Sequence, residues 1–228
     1  MPCIHKFFGH PNHLPNEFGL IPNWDFNCLI IGTFNPQNLF APNNNANYFY
    51  GRSQFFWKAL PRFAGNPEIE NQNLENQFNF LQSNKVGLTD LLIQINDADY
   101  QNPIHLNRIQ SFQDNEIELF QNFEWNTDRI IEVLKKGKVS HVYFTKLGNI
   151  NQINVGINTF ENQIRIIENY CQNNNINHHR LHSPTGQGLG KGIPRIHKLI
   201  NRWFNENGGN DFPFLSENFN INHFPFVI

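Results

Sequence analysis

Three stretches of the chain carry side chains suited to chemistry. The first is Gly32-Thr33-Phe34-Asn35-Pro36, which follows the apolar run Cys28-Leu29-Ile30-Ile31 directly. The second is Asp90, set inside the apolar sequence Val86-Gly87-Leu88-Thr89-Asp90-Leu91-Leu92-Ile93. An isolated carboxylate is costly to desolvate, so Asp90 needs a partner. Two readings stand: a helix cap or structural salt bridge, or a carboxylate pointing into a pocket. The third is His182 with the Gly-rich turn from Ser183 to Gly192. That turn offers unobstructed backbone N–H groups ahead of a helix, an anion-binding arrangement, or else it is a plain surface loop. It is not a Walker A loop, because Gly190-Lys191 is followed by Gly192 rather than Ser or Thr. His182 is either structural or, on a rim, a group able to stabilise a departing anion.

The elements that must position these residues alternate. Cys28 to Ile31 is apolar at every position, the pattern of a parallel strand buried on both faces. Gln54 starts a helix that buries Phe56, Trp57 and Leu60, and a second helix enters at Pro67 with Ile69, Leu74, Phe78 and Leu81 inward. Lys85 to Ile93 is a second strand, and 96–123 a loop-rich insertion with weak helix signals. Thr127 to Lys136 is a helix capped by Thr127 and stopped by Gly137. Val139–Thr145 and His178–His182 are the remaining strands. Asn162–Asn173, with Ile164, Ile167 and Tyr170-Cys171 inward, and Ile193–Phe204 are the remaining helices. Strands alternating with helices predict a doubly wound sheet, a three-layer α/β/α sandwich on a four-stranded parallel sheet. Right-handed crossovers put all strand ends on one rim, where ligands bind such sheets. The turn at Asn35, the Asp90 loop and the turn after His182 can then converge.

Composition bounds the function class. The 228 residues suit one domain, here 1–228 with extensions at 1–27 and 205–228. His5, His10 and His13 lie in the first extension with irregular spacing and no carboxylate partner nearby, which favours a surface loop over a metal site. Aromatics at 14% argue for a packed globule, and a net charge of −2 removes the argument for a globally basic nucleic-acid surface. The three cysteines, Cys3, Cys28 and Cys171, are scattered, an intracellular pattern without a zinc or iron–sulfur spacing. No run approaches transmembrane length and no signal peptide is present, so a cytoplasmic protein without a metal or other cofactor is expected. No G-x-S-x-G elbow supports an α/β hydrolase.

The ordered set IIGTFNP, NYFYGRSQFFWKAL, VGLTDLL and LHSPTGQG resembles the uracil-DNA glycosylase superfamily, most closely its mismatch-specific and hypoxanthine-acting branches. The resemblance covers about Cys28 to Phe204; 96–126 and the tail lie outside it. It implies that Asn35, before Pro36, orients the hydrolytic water while the base departs from an oxocarbenium-like sugar. It implies that Phe34 and Asn35 lend backbone groups to the base, that Phe49, eight before Trp57, stacks on it, and that Gln54 recognises it. Asp90 falls where the family reads the Watson–Crick edge, and a carboxylate accepts from N3–H of uracil or N1–H of hypoxanthine. His182 falls near the family's late His or Pro. Ser183, Thr185, Gly186, Gln187 and Lys191 belong to the loop that meets phosphates and fills the space left by the flipped nucleotide, and Arg52 and Ser53 join them as DNA contacts. Three departures are visible: an extra residue between Gly32 and Asn35, Gln rather than Asn at 54, and no obvious bulky wedge, a role left to Gln187 or Leu189.

The resemblance thus implies a monofunctional DNA glycosylase that removes uracil or hypoxanthine in base-excision repair. Its partner would be DNA carrying a damaged or mismatched base, and the acting form a monomer. The alternative is a non-catalytic nucleic-acid-binding protein on the same fold.

Overall fold

The computed structural model describes residues 1–52, 55–148, 156–185, 189 and 194–225, the side chain of Glu17 aside. In chain order, the strand β1 (Cys3–Ile4) precedes β2 (Cys28–Gly32). Helices α1 (Phe56–Phe63) and α2 (Leu74–Ser83) lead to β3 (Val86–Asp90), followed by β4 (Leu92–Ile95). Then come α3 (Pro103–Ser111), α4 (Asp114–Ile117), β5 (Phe123–Trp125) and α5 (Thr127–Lys135). The chain continues with β6 (His141–Phe144), α6 (Phe160–Asn173), β7 (Asn177–Arg180) and α7 (Arg195–Glu206).

Four strands form an all-parallel sheet in the order β3-β2-β6-β7. Side chains alternate across a strand, and β2 shows the consequence. Cys28 and Ile30 enter one core with Trp57, Leu60, Leu81, Leu199 and Trp203 of α1, α2 and α7. Leu29 and Ile31 enter the other with Ile130, Leu134, Ile164 and Ile167 of α5 and α6. Helices therefore cover both faces, and the fold is the expected three-layer α/β/α sandwich. No helix among the described residues is long and apolar enough to cross a membrane.

A second sheet was not legible in the sequence. It is antiparallel, ordered β1-β4-β5, with Cys3 opposite Ile95 and Ile4 opposite Gln94. The apolar sequence read as one strand from Lys85 to Ile93 is two: the chain leaves the parallel sheet at Asp90 and enters the antiparallel one at Leu92. Asp90 thus stands at the junction of the sheets.

Other boundaries differ for local reasons. The second helix begins at Leu74, where the Asn73 side chain accepts from Asn76 N–H, so 67–72 is not helical. Asn126, not Thr127, takes the cap position of α5, and its amide instead donates to Thr89 Oγ1 and the Asp90 carbonyl, both at 2.9 Å. Thr127 Oγ1 donates to Gln163 Oε1 at 2.7 Å. Cys171 is buried in α6 but Tyr170 only in part. The 96–123 segment carries the two helices α3 and α4 and the first residue of β5.

The terminal segments contribute side chains to the core. Cys3, Phe7, Leu20 and Ile21 are buried, as are His5 and His13, which overturns the surface-loop reading for those two histidines, while His10 is half-buried. At the other end Phe212 packs against Phe63 and Tyr143, and Phe219 stacks on Phe63 at 4.9 Å.

Candidate functional site

The parallel strands end together, and a cleft of about 810 Å³ opens beyond them. Gly32, Asp90, Thr145 and His182 mark the ends of β2, β3, β6 and β7 along its floor. Phe34 and Asn35 from the turn after β2 line it, as do Tyr50 and Arg52 from the next loop. Ser111 to Asn115, between and within α3 and α4, make the facing wall, with Ser183 to Thr185 beside them. Sequence reasoning placed Asn35, Asp90 and the turn after His182 on one rim, and the structure brings Asn35, Asp90 and the first residues of that turn, Ser183 to Thr185, into this cleft.

Asp90 is 5% exposed, and its Oδ2 lies 2.8 Å from Nε2 of His5. Phe7 N–H donates to Nδ1 of the same imidazole at 3.1 Å. Nδ1 therefore offers a lone pair, the ring proton sits on Nε2, and Nε2 donates to Asp90. The N-terminal segment delivers His5 by backbone pairing: its N–H donates to the Ile93 carbonyl at 2.7 Å, and His5 bridges Pro36. Asp90 caps no helix; it is a buried partner of His5 and a pocket carboxylate at once. The pocket reading fits this position, and the partner is an imidazole rather than a helix end.

Above Gly32 the packing is tight. A Cβ built there would lie 2.2 Å from Asp90 Oδ1 and 2.9 Å from the Tyr50 hydroxyl. Only glycine lets these two oxygens sit against the backbone. Tyr50 has φ +58°, rare for a bulky residue and a backbone cost of order 1–2 kcal/mol. Its ring stacks on Phe56 at 3.9 Å and 16°, and its hydroxyl meets Thr145 Oγ1 at 3.2 Å. Burial, then the Asp90 charge, hold this phenol well above its ordinary pKa, so it keeps its proton.

Asn35 is half-buried. Its Oδ1 accepts from the Asn44 side chain, and its carbonyl accepts from Lys6 N–H at 2.7 Å. Asn44 also donates to the Pro36 carbonyl at 2.7 Å, so both sides of the turn are pinned. Phe34 lines the cleft with its ring 5.8 Å from that of His5. Phe49 does not reach the cleft. It is 1% exposed and packed among His5, Phe7 and Tyr48, so it cannot stack on a ligand. The left-handed backbone of the next residue turns Tyr50, not Phe49, into the site.

His182 is 8% exposed at the rim. Trp203 Nε1 donates to its carbonyl at 2.7 Å, and its N–H donates to Asn207 Oδ1 at 3.0 Å, which ties it to α7 and the residue just beyond. Arg202 Nη1 lies 3.2 Å from Nδ1 and 3.4 Å from Nε2. Either ring nitrogen is thus within hydrogen-bond reach of this guanidinium. Ser183 Oγ and Thr185 Oγ1 are 3.1 Å apart on the same wall. Arg52 is exposed and places its guanidinium 3.1 Å from the Phe112 ring centre. Ser53, Gln54, Gly186, Gln187 and Lys191 lie outside the described residues. Leu189 is 2% exposed, and so buried it cannot act as a wedge.

No family model, no curated protein and no solved structure matches the chain.

Among the cleft residues that escaped sequence reasoning are Tyr50, Phe112, Asp114, Thr145 and Lys146, and so did His5, which lies behind Asp90 rather than in the lining. Thr145 and Lys146 follow β6, so the rule that strand ends share a rim was the signal that could have found them. Lys146 Nζ pairs with Asp114 Oδ2 at 2.7 Å across the cleft wall. Among the described residues no three His, Cys, Asp or Glu side chains are grouped to hold a metal ion. The cysteine thiols are buried, and burial pushes those of Cys3 and Cys171 up to about 12. The cleft offers an amide, a carboxylate, an imidazole and hydroxyls, with aromatic rings and two cations in its lining.

Proposed function

We propose that this cleft is the base pocket of a monofunctional DNA glycosylase, acting as a cytoplasmic monomer on uracil or hypoxanthine in DNA. The observation that supports it most is the meeting of Asn35 and Asp90. Gly32 and Asp90 are register partners on adjacent parallel strands, and Asn35 stands three residues beyond Gly32 in the same cleft. In this reading the glycosidic C–N bond breaks first and the base leaves with the bonding pair. Water held by the Asn35 amide then adds its oxygen to C1′ and releases a proton. The products are the free base and an abasic site. Asp90 meets the base edge, His182 faces the departing negative charge, and Arg52 and Lys146 meet phosphates. Extrusion of a base costs a few kcal/mol, less from a mismatch, which favours deaminated bases in G·U or inosine pairs.

The test is a panel of duplex oligonucleotides carrying uracil, hypoxanthine or xanthine, scored for alkali-labile abasic sites. Release from at least one, lost in Asn35→Ala with DNA binding retained, is the expected result. An intact panel at high protein concentration ends the enzymatic reading.

A second reading is a non-catalytic nucleic-acid binder on this fold. What favours it is that Asn35 Oδ1 already accepts from Asn44, together with the extra residue before Asn35. Retained DNA binding, with no cleavage by either the parent or Asn35→Ala, would select it.

A further inference from the structure

A second cavity, of about 180 Å³, lies at the other end of the parallel sheet. Phe26 stands two residues before β2 and Val139 two before β6, so this is the end where the strands begin, a strand length from the cleft. Ile21, Phe26, Val133 and Val139 are buried in its depth, and Leu14 and Trp24, half-buried, stand nearer the mouth. Its walls are tied in place. Leu14 N–H donates to the Ile21 carbonyl at 2.7 Å, and Asn23 N–H to the Asn12 carbonyl at 3.0 Å. Trp24 Nε1 donates to the Val86 carbonyl at 3.0 Å, which holds one edge of the indole. Protein interiors are close-packed and leave few voids larger than a water molecule. A preformed apolar cavity that opens to solvent is therefore placed to receive a group from outside.

The mouth is basic. Lys136 and Lys138 are exposed in the lining, where Asp25 is the one carboxylate. Lys138 Nζ meets Asp25 at 2.8 Å, and Lys85 is close enough to act on the same carboxylate. Glu132, on the same helix end as Lys136, is taken by Lys135 at 2.8 Å. Lys136 and Lys85 are left with no ion pair among the described residues, on a chain whose net charge is −2. Size decides the kind of occupant. Cofactor and drug-sized pockets run to roughly 300–1,000 Å³, whereas an apolar cavity of about 150 Å³ takes a benzene-sized group. This cavity has room for one large side chain. We infer that it is a docking site for an acidic peptide segment of a partner protein. The segment seats one Phe or Leu side chain beside Trp24, Phe26 and Val133 and sets its carboxylates against Lys136 and Lys85. The buried anchor supplies most of the affinity, and the charges supply orientation and encounter rate. The cavity shares no residue with the cleft, so the inference does not depend on the glycosylase reading.

The probe is a short, end-blocked peptide of Asp and Glu residues around one central Phe, titrated into the full isotope-labelled chain and followed by NMR shifts. Saturable shifts are expected at the Trp24 indole N–H and at Val133 and Val139, with none at Phe34 or Thr145 in the cleft. Ala in place of the peptide's Phe should weaken binding about 10-fold or more, the effect of one buried aromatic side chain. Lys136→Glu, an exposed substitution that keeps the cavity, should weaken it by roughly 3- to 10-fold at low salt and by less at high salt. Val133→Phe, which fills the cavity and leaves every lysine in place, should abolish it. If that variant does not fold, the Ala peptide and Lys136→Glu still decide the question. No shift at millimolar peptide, equal binding of the Ala peptide, or shifts centred on the cleft overturns the inference. So does phenylacetate binding as tightly as the peptide, which would make the cavity a small-molecule site.

Discussion

His5 and Asp90 stand 85 positions apart in the chain and meet at 2.8 Å, with side-chain exposures of 0% and 7%. A carboxylate this buried depends on its donor, because removing one partner leaves the other unpaired away from water. His5→Ala should therefore destabilise the fold by about 3 kcal/mol in urea denaturation. The double variant with Asp90→Ala should cost less than the sum of the singles, by roughly 1–3 kcal/mol. Strict additivity would mean that the two side chains do not interact.

Gly32→Ala tests the floor from the other side. The new methyl would stand 2.2 Å from Asp90 Oδ1, so the carboxylate must move and the His5 contact must stretch. Overpacking of this kind costs roughly 1–3 kcal/mol. The expected variant is folded, has a lowered melting temperature and, on the glycosylase reading, loses base recognition. Gly32→Ala with an unshifted melting temperature and wild-type base release would show that Asp90 and Tyr50 do not crowd this carbon.

How much of this was legible follows from the same residues. β2 was readable because all its residues are buried, which leaves an unbroken apolar run. Asp90 was readable as an anomaly because a carboxylate inside such a run has no cheap local explanation. Its partner was not, because His5 directly follows a two-residue strand that has no periodicity to detect. Nor was the second sheet, since β4 follows β3 after Leu91 alone and the pair reads as one strand. Phe49 was mistaken for the cleft aromatic because the choice between neighbours 49 and 50 is made by a left-handed φ, which an ordinary L-residue sequence does not announce. The cleft wall from α3 and α4 went unread because α3 buries only Ile109 and α4 only Ile117, too little for a helical pattern.

His13 makes stability depend on pH. Its Nδ1 lies 2.8 Å from the Gly19 carbonyl and 3.0 Å from that of Phe7, so it carries the proton, and Nε2 accepts from the Tyr48 hydroxyl at 2.9 Å. Burial is the main force that pushes this imidazole down from 6.5 to about 4; the Gly19 carbonyl opposes it and neighbouring His10 adds to it. In the unfolded chain the group takes a proton near 6.5, while the folded protein refuses it until about 4. The stabilisation is complete above pH 6.5, declines as pH falls and is gone once the folded group protonates near 4. The span corresponds to about 3 kcal/mol. Urea midpoints measured from pH 4 to 7 should rise with pH, and His13→Gln should flatten that rise. An equal rise in the variant would assign the effect to other groups.

Phe112 gives a test in which a smaller side chain should be better than a middling one. It ends α3 at φ +54° and ψ +27°, the left-handed region, and its ring lies 3.1 Å from the Arg52 guanidinium carbon. Phe112→Ala and Phe112→Gly both lose that ring contact. Only glycine escapes the left-handed penalty of roughly 1–2 kcal/mol, offset in part by its greater freedom when unfolded. Phe112→Gly should therefore be the more stable of the two in urea denaturation, by up to about 1 kcal/mol, the reverse of their order inside a helix. Alanine winning would mean that the backbone there is not left-handed. The partner residue separates this structural effect from function. If Arg52 meets a phosphate, Arg52→Ala should lower the salt dependence of DNA binding by about one in the log–log slope and weaken all sequences alike. An unchanged slope would leave Arg52 only its ring contact with Phe112.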